Sequence, residues 1–156
     1  GDVMKISTKG RYALRIMLEL AKKDPDVYVP LKQISKNQCL SEKYLESIIK
    51  KLVDAGYVQG IRGKGGGYRL TMTPDHYTAG MILRLVEGSL APVSCLESKE
   101  NTCPRAKSCE TLPMWEELYQ MINSYFDGIT LQSLLDQRND IDALSDTMDD
   151  YPCEKL

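Results

Sequence analysis

Apolar residues in the first part of the chain recur at three- and four-residue steps, which is the spacing of one helix face. Residues 8–23 show this spacing first, and Ser7 or Thr8 can cap the start of that helix. A second, short helix can begin at Pro30, where a proline is well tolerated. A tight turn at residues 38–40 is predicted to follow it.

A third helix and a hairpin are predicted after this turn. Ser41 is a good N-cap, and Gly56 supplies a left-handed stop at the other end of the helix. Residues 57–62 and 68–71 are predicted to be short strands around a glycine-rich tip at 63–67. This order is that of a winged helix-turn-helix, so we predict a mainly α fold with a small β-hairpin wing.

The second half of the chain predicts helices on both sides of a cysteine-containing loop. Thr78 can cap a fourth helix, and a long amphipathic helix is predicted at 113–126. We divide the chain into a winged helix-turn-helix at 4–88, a sensor loop at 89–112, dimerisation helices at 113–138 and an acidic tail at 139–156. The tail has few apolar residues, and we expect it to be disordered.

Charge is divided unequally between the two halves. Residues 1–74 hold 14 lysine and arginine residues against 7 acidic ones, whereas residues 75–156 hold 6 against 15. The basic half is therefore the candidate nucleic-acid surface. No apolar run reaches the length of a membrane span and no leader pattern precedes the first helix, so we expect a cytoplasmic protein that does not enter a membrane.

The outward face of the third helix carries polar and basic side chains where a recognition helix contacts DNA. The major groove admits one α-helix, whose N-terminal side chains reach base edges while basic residues neutralise phosphates. The candidate DNA-binding residues of this helix are Ser41, Lys43, Tyr44, Glu46, Ser47 and Lys50.

Glu46 is the most informative of these residues. A carboxylate facing DNA is repelled by phosphate and is tolerated chiefly where it accepts a hydrogen bond from cytosine N4. The alternative is a solvated surface pair with Lys50, four residues further on. The surrounding helix-turn-helix order favours the base contact.

The glycine-rich tip is predicted to be the wing. It lies between two strands and lacks the GxxxxGK[ST] order that precedes a helix, so nucleotide binding is not expected. Glycines let the backbone approach the minor groove, and Arg62, Lys64 and Arg69 supply positive charge beside it. The alternative is a flexible hairpin tip without contact to DNA.

Three cysteines, Cys95, Cys103 and Cys109, lie in the loop before the long helix. Iron-sulfur clusters take thiolate ligands, and a loop can wrap three thiolates around one centre, which leaves the fourth position to another donor. Structural zinc would require four cysteine or histidine ligands in closely paired spacing, which this loop lacks. The alternative is three loop thiols that share no ligand.

The remaining two cysteines are assigned no chemistry. Cys39 lies in the predicted turn and is expected to belong to the core, whereas Cys153 lies in the acidic tail and is expected to be incidental. A disulfide framework is not expected in a cytosolic protein with five cysteines. The single histidine, His76, is expected at the surface or at a helix cap.

Several stretches together resemble the Rrf2 family of winged-helix transcriptional regulators. They are residues 4–14 (MKISTKGRYAL), 40–46 (LSEKYLE) and 61–68 (IRGKGGGY), together with the three loop cysteines. The resemblance covers about residues 4–138. It implies a homodimer that pairs through the long helix and binds a near-palindromic operator in double-stranded DNA.

The resemblance is to those family members that carry three loop cysteines, among which are iron-sulfur regulators, a nitric oxide sensor and an iron regulator. It implies a cluster on Cys95, Cys103 and Cys109, and the spacing of these cysteines resembles that of members that favour [4Fe-4S] over [2Fe-2S]. Leu112 stands where some members have a ligand histidine, and Arg11 where others have a ligand carboxylate. The fourth ligand is therefore unassigned.

These observations predict a transcriptional regulator, not an enzyme, whose affinity for DNA is controlled by a cluster that senses redox state, nitric oxide or iron. One alternative is a cluster-free regulator of the same fold, which controls cysteine metabolism or acts as a thiol switch through a disulfide between two loop cysteines. Another is an enzyme with a reactive cysteine and His76, for which the sequence shows no arrangement of base and orienting group.

Overall fold

The computed structural model describes residues 5–142 and residue 153 of the chain. Its first part comprises α1 (Thr8–Ala21), α2 (Leu31–Gln38), α3 (Glu42–Asp54), β1 (Val58–Ile61) and β2 (Gly67–Leu70). Its second part comprises a 3-10 turn (Pro74–His76), α4 (Ala79–Glu87), a second 3-10 turn (Ser94–Leu96), α5 (Leu112–Asp127) and α6 (Leu131–Asp142). The predicted mainly α fold with a hairpin wing is confirmed.

Polar side chains begin the helices at the predicted positions. The Ser7 hydroxyl accepts a hydrogen bond from the Gly10 amide at 3.1 Å, and the Ser41 hydroxyl accepts one from the Tyr44 amide at 3.2 Å. Thr78 caps α4 in the same way. Each cap satisfies an amide that has no partner inside the helix, which fixes where the helix starts.

The hairpin is antiparallel and is extended by one residue from the segment before α2. Val58 pairs with Leu70 at one end of the ladder, and Ile61 pairs with Gly67 at the other. The Val29 and Tyr68 backbones exchange hydrogen bonds of 2.8 and 2.9 Å. A side chain at Gly67 would collide with the Val29 carbonyl group, so this approach requires glycine.

The core lies where α1, α3, α4 and α6 meet. The fully buried side chains in it include Ala13, Ile16, Met17, Leu45, Ile48, Leu52, Ile82 and Leu131. Burial of one such aliphatic side chain contributes about 1.5–3 kcal/mol, so this cluster dominates the stability of the fold. The participation of Leu131 means that α6 packs into the same core as the helix-turn-helix.

Tyr77 joins the wing to α4, and the sequence analysis did not single it out. Its ring is fully buried, and its hydroxyl donates to the Tyr57 carbonyl oxygen at 2.8 Å. The same hydroxyl accepts from the amides of Met72 at 2.9 Å and Thr71 at 3.1 Å. One side chain thus holds the base of the hairpin against the start of α4.

Two further observations concern the sequence-based division of the chain. α6 ends at Asp142, four residues past the position 138 at which we expected the helices to end. The rest of the predicted acidic tail lies outside the described residues, apart from Cys153. None of the helices in the described part of the chain is long and apolar enough to cross a membrane.

Candidate DNA interface and cysteine loop

α3 has one buried and one exposed face, and the predicted DNA-binding residues lie on the exposed one. Leu45, Ile48, Ile49 and Leu52 are buried. Ser41, Lys43, Glu46, Ser47 and Lys50 are exposed, and Tyr44 is half-buried. This face is therefore open to enter a major groove, as a recognition helix requires.

Two of the predicted DNA-contact residues, Tyr44 and Ser47, also make contacts with other residues of the chain. The Tyr44 ring packs edge-on against Tyr12, with 6.2 Å between centroids. The Ser47 hydroxyl donates to the Tyr44 carbonyl oxygen at 2.6 Å, so it is left as an acceptor.

The guanidinium of Arg15 lies 5.1 Å from the Tyr12 ring centroid and places a positive charge beside α3 that the sequence analysis missed.

The exposed face of α3 and the hairpin form the two walls of a shallow groove. Glu46 and Lys50 line it from the helix, and Arg62 and Tyr68 line it from the hairpin. No ion pair joins Glu46 to Lys50 in the part of the chain that the structure describes. Within the described residues the Glu46 carboxylate thus lines the groove without an ion pair, and its contact with a base stays a prediction.

The three basic residues assigned to the wing differ in their surroundings. Arg62 and Lys64 are exposed at the tip of the hairpin. The Arg69 guanidinium instead lies 4.5 Å from the Tyr28 ring centroid and 3.9 Å from the Asp26 carboxylate. Neighbouring residues of a strand point to opposite faces, so Arg69 lies on the far side of the hairpin from the groove.

The three loop cysteines are half-buried free thiols. Cys95 lies in the 3-10 turn that opens the loop. The Cys103 amide donates to the Asn101 side-chain oxygen at 3.0 Å, and the Cys109 sulfur lies 3.4 Å from the Thr111 hydroxyl oxygen. Their chemistry fits an iron-sulfur cluster, but within the described residues no three cysteine, histidine or acidic side chains are assembled as a metal site.

The thiol of Cys109 accepts a hydrogen bond that affects its ionisation. The Thr111 hydroxyl hydrogen bond lowers the pKa of Cys109 below its ordinary value, with smaller contributions from nearby amides and from the charge of Arg105. A hydrogen bond to the thiolate favours the charged form. Because the thiolate is the form that binds metals and reacts with electrophiles, Cys109 is primed for both.

Side-chain contacts connect the helix after the loop to the DNA-binding unit. Arg84 on α4 donates to the Asn123 side-chain oxygen on α5 at 3.1 Å and forms an ion pair with Asp127. Glu87, at the end of α4, accepts hydrogen bonds from the Ser7 amide at 3.0 Å and the Ser7 hydroxyl at 2.5 Å. Side-chain contacts thus join α5 to α4, and α4 to the start of α1.

α5 carries an apolar face that the single chain leaves open. In the described part of the chain, none of its 16 residues is buried. Met114, Met121 and Tyr125 are 53, 63 and 67% exposed. Large exposed apolar side chains at helical spacing are typical of a surface that pairs with another protein surface.

The expectations for the two other cysteines are wrong. Cys39 is half-buried, not part of the core, and it forms a disulfide with Cys153. The reason is local: Cys39 ends α2 with a φ of 56°. A residue in this left-handed conformation leaves the helix path, so its side chain does not follow the buried face of α2. His76 is exposed, as expected, with its Nδ1 2.7 Å from the Thr73 hydroxyl oxygen.

The chain contains a helix-turn-helix, α2 and α3, in which one face of α3 is exposed, and a hairpin wing follows it. This arrangement defines a winged-helix DNA-binding protein. The model of the Rrf2 family, described as "Iron-dependent Transcriptional regulator", matches residues 6–137. The chain therefore belongs to the Rrf2 family. It is a DNA-binding transcriptional regulator, since its relatives are named as regulators and not as enzymes.

Similarity extends to two differently named groups of relatives. The chain is 40% identical to the transcriptional regulator IscR of Aliivibrio salmonicida over 92% of this chain and 83% of that protein. It is 44% identical to the regulator CymR of Bacillus subtilis over 84% of this chain and 89% of that one. A solved structure of B. subtilis CymR, described as the global cysteine regulator, matches with a TM-score of 0.68 and 43% identity, and covers 85% of this chain and 96% of that chain.

Proposed function

We propose that the affinity of this regulator for DNA is controlled by an iron-sulfur cluster held by Cys95, Cys103 and Cys109. The observation that carries the proposal is the presence of three half-buried free thiols in one loop, directly before α5. The description of the matching family as iron-dependent supports iron as the metal. We further propose [4Fe-4S] over [2Fe-2S], with a fourth ligand that is not a cysteine of this loop.

The loop at 89–112 would act as the sensor. When bound, the cluster would supply an iron centre that responds to redox state, nitric oxide or iron supply. Cys109 lies three residues before α5, so drawing the three thiols together would change the position of the start of that helix. The contacts of Arg84 with Asn123 and Asp127 would pass this change to α4 and the DNA-binding unit.

The helices at 113–138 would form the dimer. The open apolar face of α5 supports pairing with a second copy of the chain. A two-fold dimer would present two α3 helices to successive major-groove faces of a near-palindromic operator. The DNA contacts would come from Ser41, Lys43, Tyr44, Glu46, Ser47, Lys50, Arg62, Lys64 and Arg69. A regulator that binds the chromosome of a bacterium works in the cytoplasm, and we propose that location here.

A second candidate is a cluster-free regulator of cysteine metabolism or of the thiol-redox state. It is favoured by the 44% identity to B. subtilis CymR, and it requires no assembled metal site, which the described residues do not show. In this case two of the loop cysteines would form a disulfide on oxidation, and no iron would be bound.

Reconstitution without oxygen distinguishes the two candidates. The full chain would be purified anaerobically, incubated with iron and sulfide, and its visible absorbance and iron and sulfide content measured. The cluster proposal predicts a visible absorbance band that is lost in Cys103→Ala and kept in Cys39→Ser, since Cys39 lies outside the loop. A colourless wild-type protein after reconstitution would support the cluster-free candidate.

A further inference from the structure

We propose that Cys39 and Cys153 are a second redox site, whose disulfide weakens DNA binding by tethering the acidic C-terminal segment to the helix-turn-helix. The disulfide joins two positions that are 114 residues apart in the sequence. Neither cysteine belongs to the loop proposed to hold the cluster. The inference rests on the DNA-binding role of α3 and is independent of the cluster.

The bond is located at the turn of the helix-turn-helix. Cys39 follows the last residue of α2 and stands two residues before Ser41, the N-cap of α3. The two Cα atoms are 5.5 Å apart, within the usual range for a disulfide. Cys153 is exposed and its sulfur lies 3.8 Å from the Lys36 carbonyl oxygen. Oxidants and reductants therefore have access to the pair.

The end of α2 gives the tether a fixed attachment point. Glu19 of α1 is only 7% exposed, and its carboxylate accepts hydrogen bonds from the Asn37 side chain at 2.7 Å and the Gln38 side chain at 2.6 Å. On the other side of Cys39, the Ser35 hydroxyl donates to the Leu40 carbonyl oxygen at 2.5 Å. The turn is thus held from both sides, and a segment bonded to it stays beside the start of α3.

The charge of the tethered segment opposes DNA. Asp149, Asp150 and Glu154 lie within four residues of Cys153 in the sequence, so a bond at Cys153 carries their negative charge with it. Lys36 and Lys43 are exposed on either side of the turn, where they are available to phosphates. Carboxylates held there repel the DNA backbone and compete with phosphate for these lysines.

Hydrogen peroxide is the oxidant we assign to the reaction. The Cys153 thiolate attacks one oxygen of the peroxide and the O–O bond breaks. Hydroxide departs, and Cys153 becomes a sulfenic acid. The Cys39 thiolate then attacks that sulfur and displaces the second oxygen as hydroxide. The two thiol protons neutralise both hydroxides, so one peroxide and two thiols give one disulfide and two waters. A dithiol reductant returns two electrons and two protons.

The test uses a full-length chain in which the three loop cysteines are replaced, Cys95→Ser, Cys103→Ser and Cys109→Ser, so that the cluster plays no part in the result. The probe is a duplex of about 30 base pairs, long enough for two half-sites and selected from a random pool by the reduced protein. Peptide mapping after peroxide treatment is expected to link Cys39 to Cys153. Fluorescence anisotropy at low salt is expected to show DNA binding weakened about tenfold or more, and restored by dithiothreitol.

Two variants separate the bond from the charge. In the presence of peroxide, Cys153→Ser is expected to bind DNA as tightly as the protein without the disulfide. A variant that keeps both cysteines but neutralises the segment, Asp149→Asn, Asp150→Asn and Glu154→Gln, is expected to form the disulfide and lose most of the weakening. Equal affinity of the oxidised and reduced proteins, or the absence of the linked peptide, would overturn the proposal. Equal weakening in Cys153→Ser would also overturn it.

Discussion

Arg84 of α4 forms an ion pair with Asp127 of α5, and the same guanidinium donates a hydrogen bond to Asn123. The pair joins the helix that follows the cysteine loop to a helix that packs on α1. Its side chains are 35 and 43% exposed, so solvent screens the charge interaction. Its value lies in fixing the relative positions of α4 and α5 more than in the free energy of unfolding.

Replacing Asp127 by asparagine is expected to lower the free energy of unfolding only slightly, by about 0.2–1 kcal/mol, because the pair is partly solvated. The larger effect expected is a smaller difference in DNA affinity between the iron-loaded and iron-free proteins. Urea denaturation and DNA titration measure the two quantities. Asp136→Asn is the matched control, since Asp136 accepts a hydrogen bond from Gln132 within α6. An unchanged affinity difference in Asp127→Asn would contradict the assigned connection.

Neutralising the basic residues of α3 and of the wing is expected to weaken binding to all DNA sequences. Lys50→Ala and Lys64→Ala should each reduce the slope of log affinity against log salt by about one, because each lysine neutralises one phosphate. Lys107→Ala, in the cysteine loop, is the control and should leave the slope unchanged. If replacing Lys50, Lys64 and Arg62 together leaves DNA affinity unchanged, the assigned surface is wrong.

Glu46→Ala is expected to change the selectivity for sequence more than the affinity. Losing a base-specific acceptor should remove about 1–3 kcal/mol of discrimination at one base pair of each half-site. Selection from a random pool with the wild type and with the variant measures this directly. Glu116→Ala on α5 is the control. Identical selected sequences from both proteins would assign Glu46 to the solvated surface.

The lowered pKa of Cys109 predicts how this thiol reacts at neutral pH. At a pH below the ordinary thiol pKa, Cys109 holds a larger thiolate fraction than the same thiol would hold without the Thr111 hydrogen bond, and this difference disappears at high pH, where both are ionised. Iodoacetamide labelling of the iron-free protein at several pH values, followed by peptide mapping, measures how fast Cys109 is modified. Thr111→Val removes the first cause of the shift and should slow the labelling, whereas Thr102→Val should not.

The helix starts were predictable because caps depend on residues close in sequence. Ser41 and Thr78 are followed directly by the helices that they cap, and Gly56 adopts the positive φ that ends α3. The outward face of α3 was predictable for the same reason, since it follows from the period of one helix. Arg69 was assigned to the wing on charge alone, and only the structure places it against Tyr28.

Contacts between residues that are far apart in the sequence could not be predicted, because no local sequence pattern indicates them. Tyr77 and Cys39 each have a partner that sequence periodicity does not reveal: a set of backbone groups at the hairpin base for Tyr77, and Cys153 for Cys39. The cysteine loop has no helical or strand period, so its path could not be derived. The loop thiols could be singled out by residue type, but their arrangement in space could not.

We propose that the state of the cysteine loop sets the affinity for DNA. The most direct measurement is an anaerobic DNA titration of the same reconstituted protein before and after its iron is removed, with Cys103→Ala treated in parallel. We expect the wild-type affinity to change by about 5- to 150-fold on iron removal, the range of a typical coupling free energy, and the affinity of Cys103→Ala to stay unchanged. Equal wild-type affinities with and without the bound iron would contradict it.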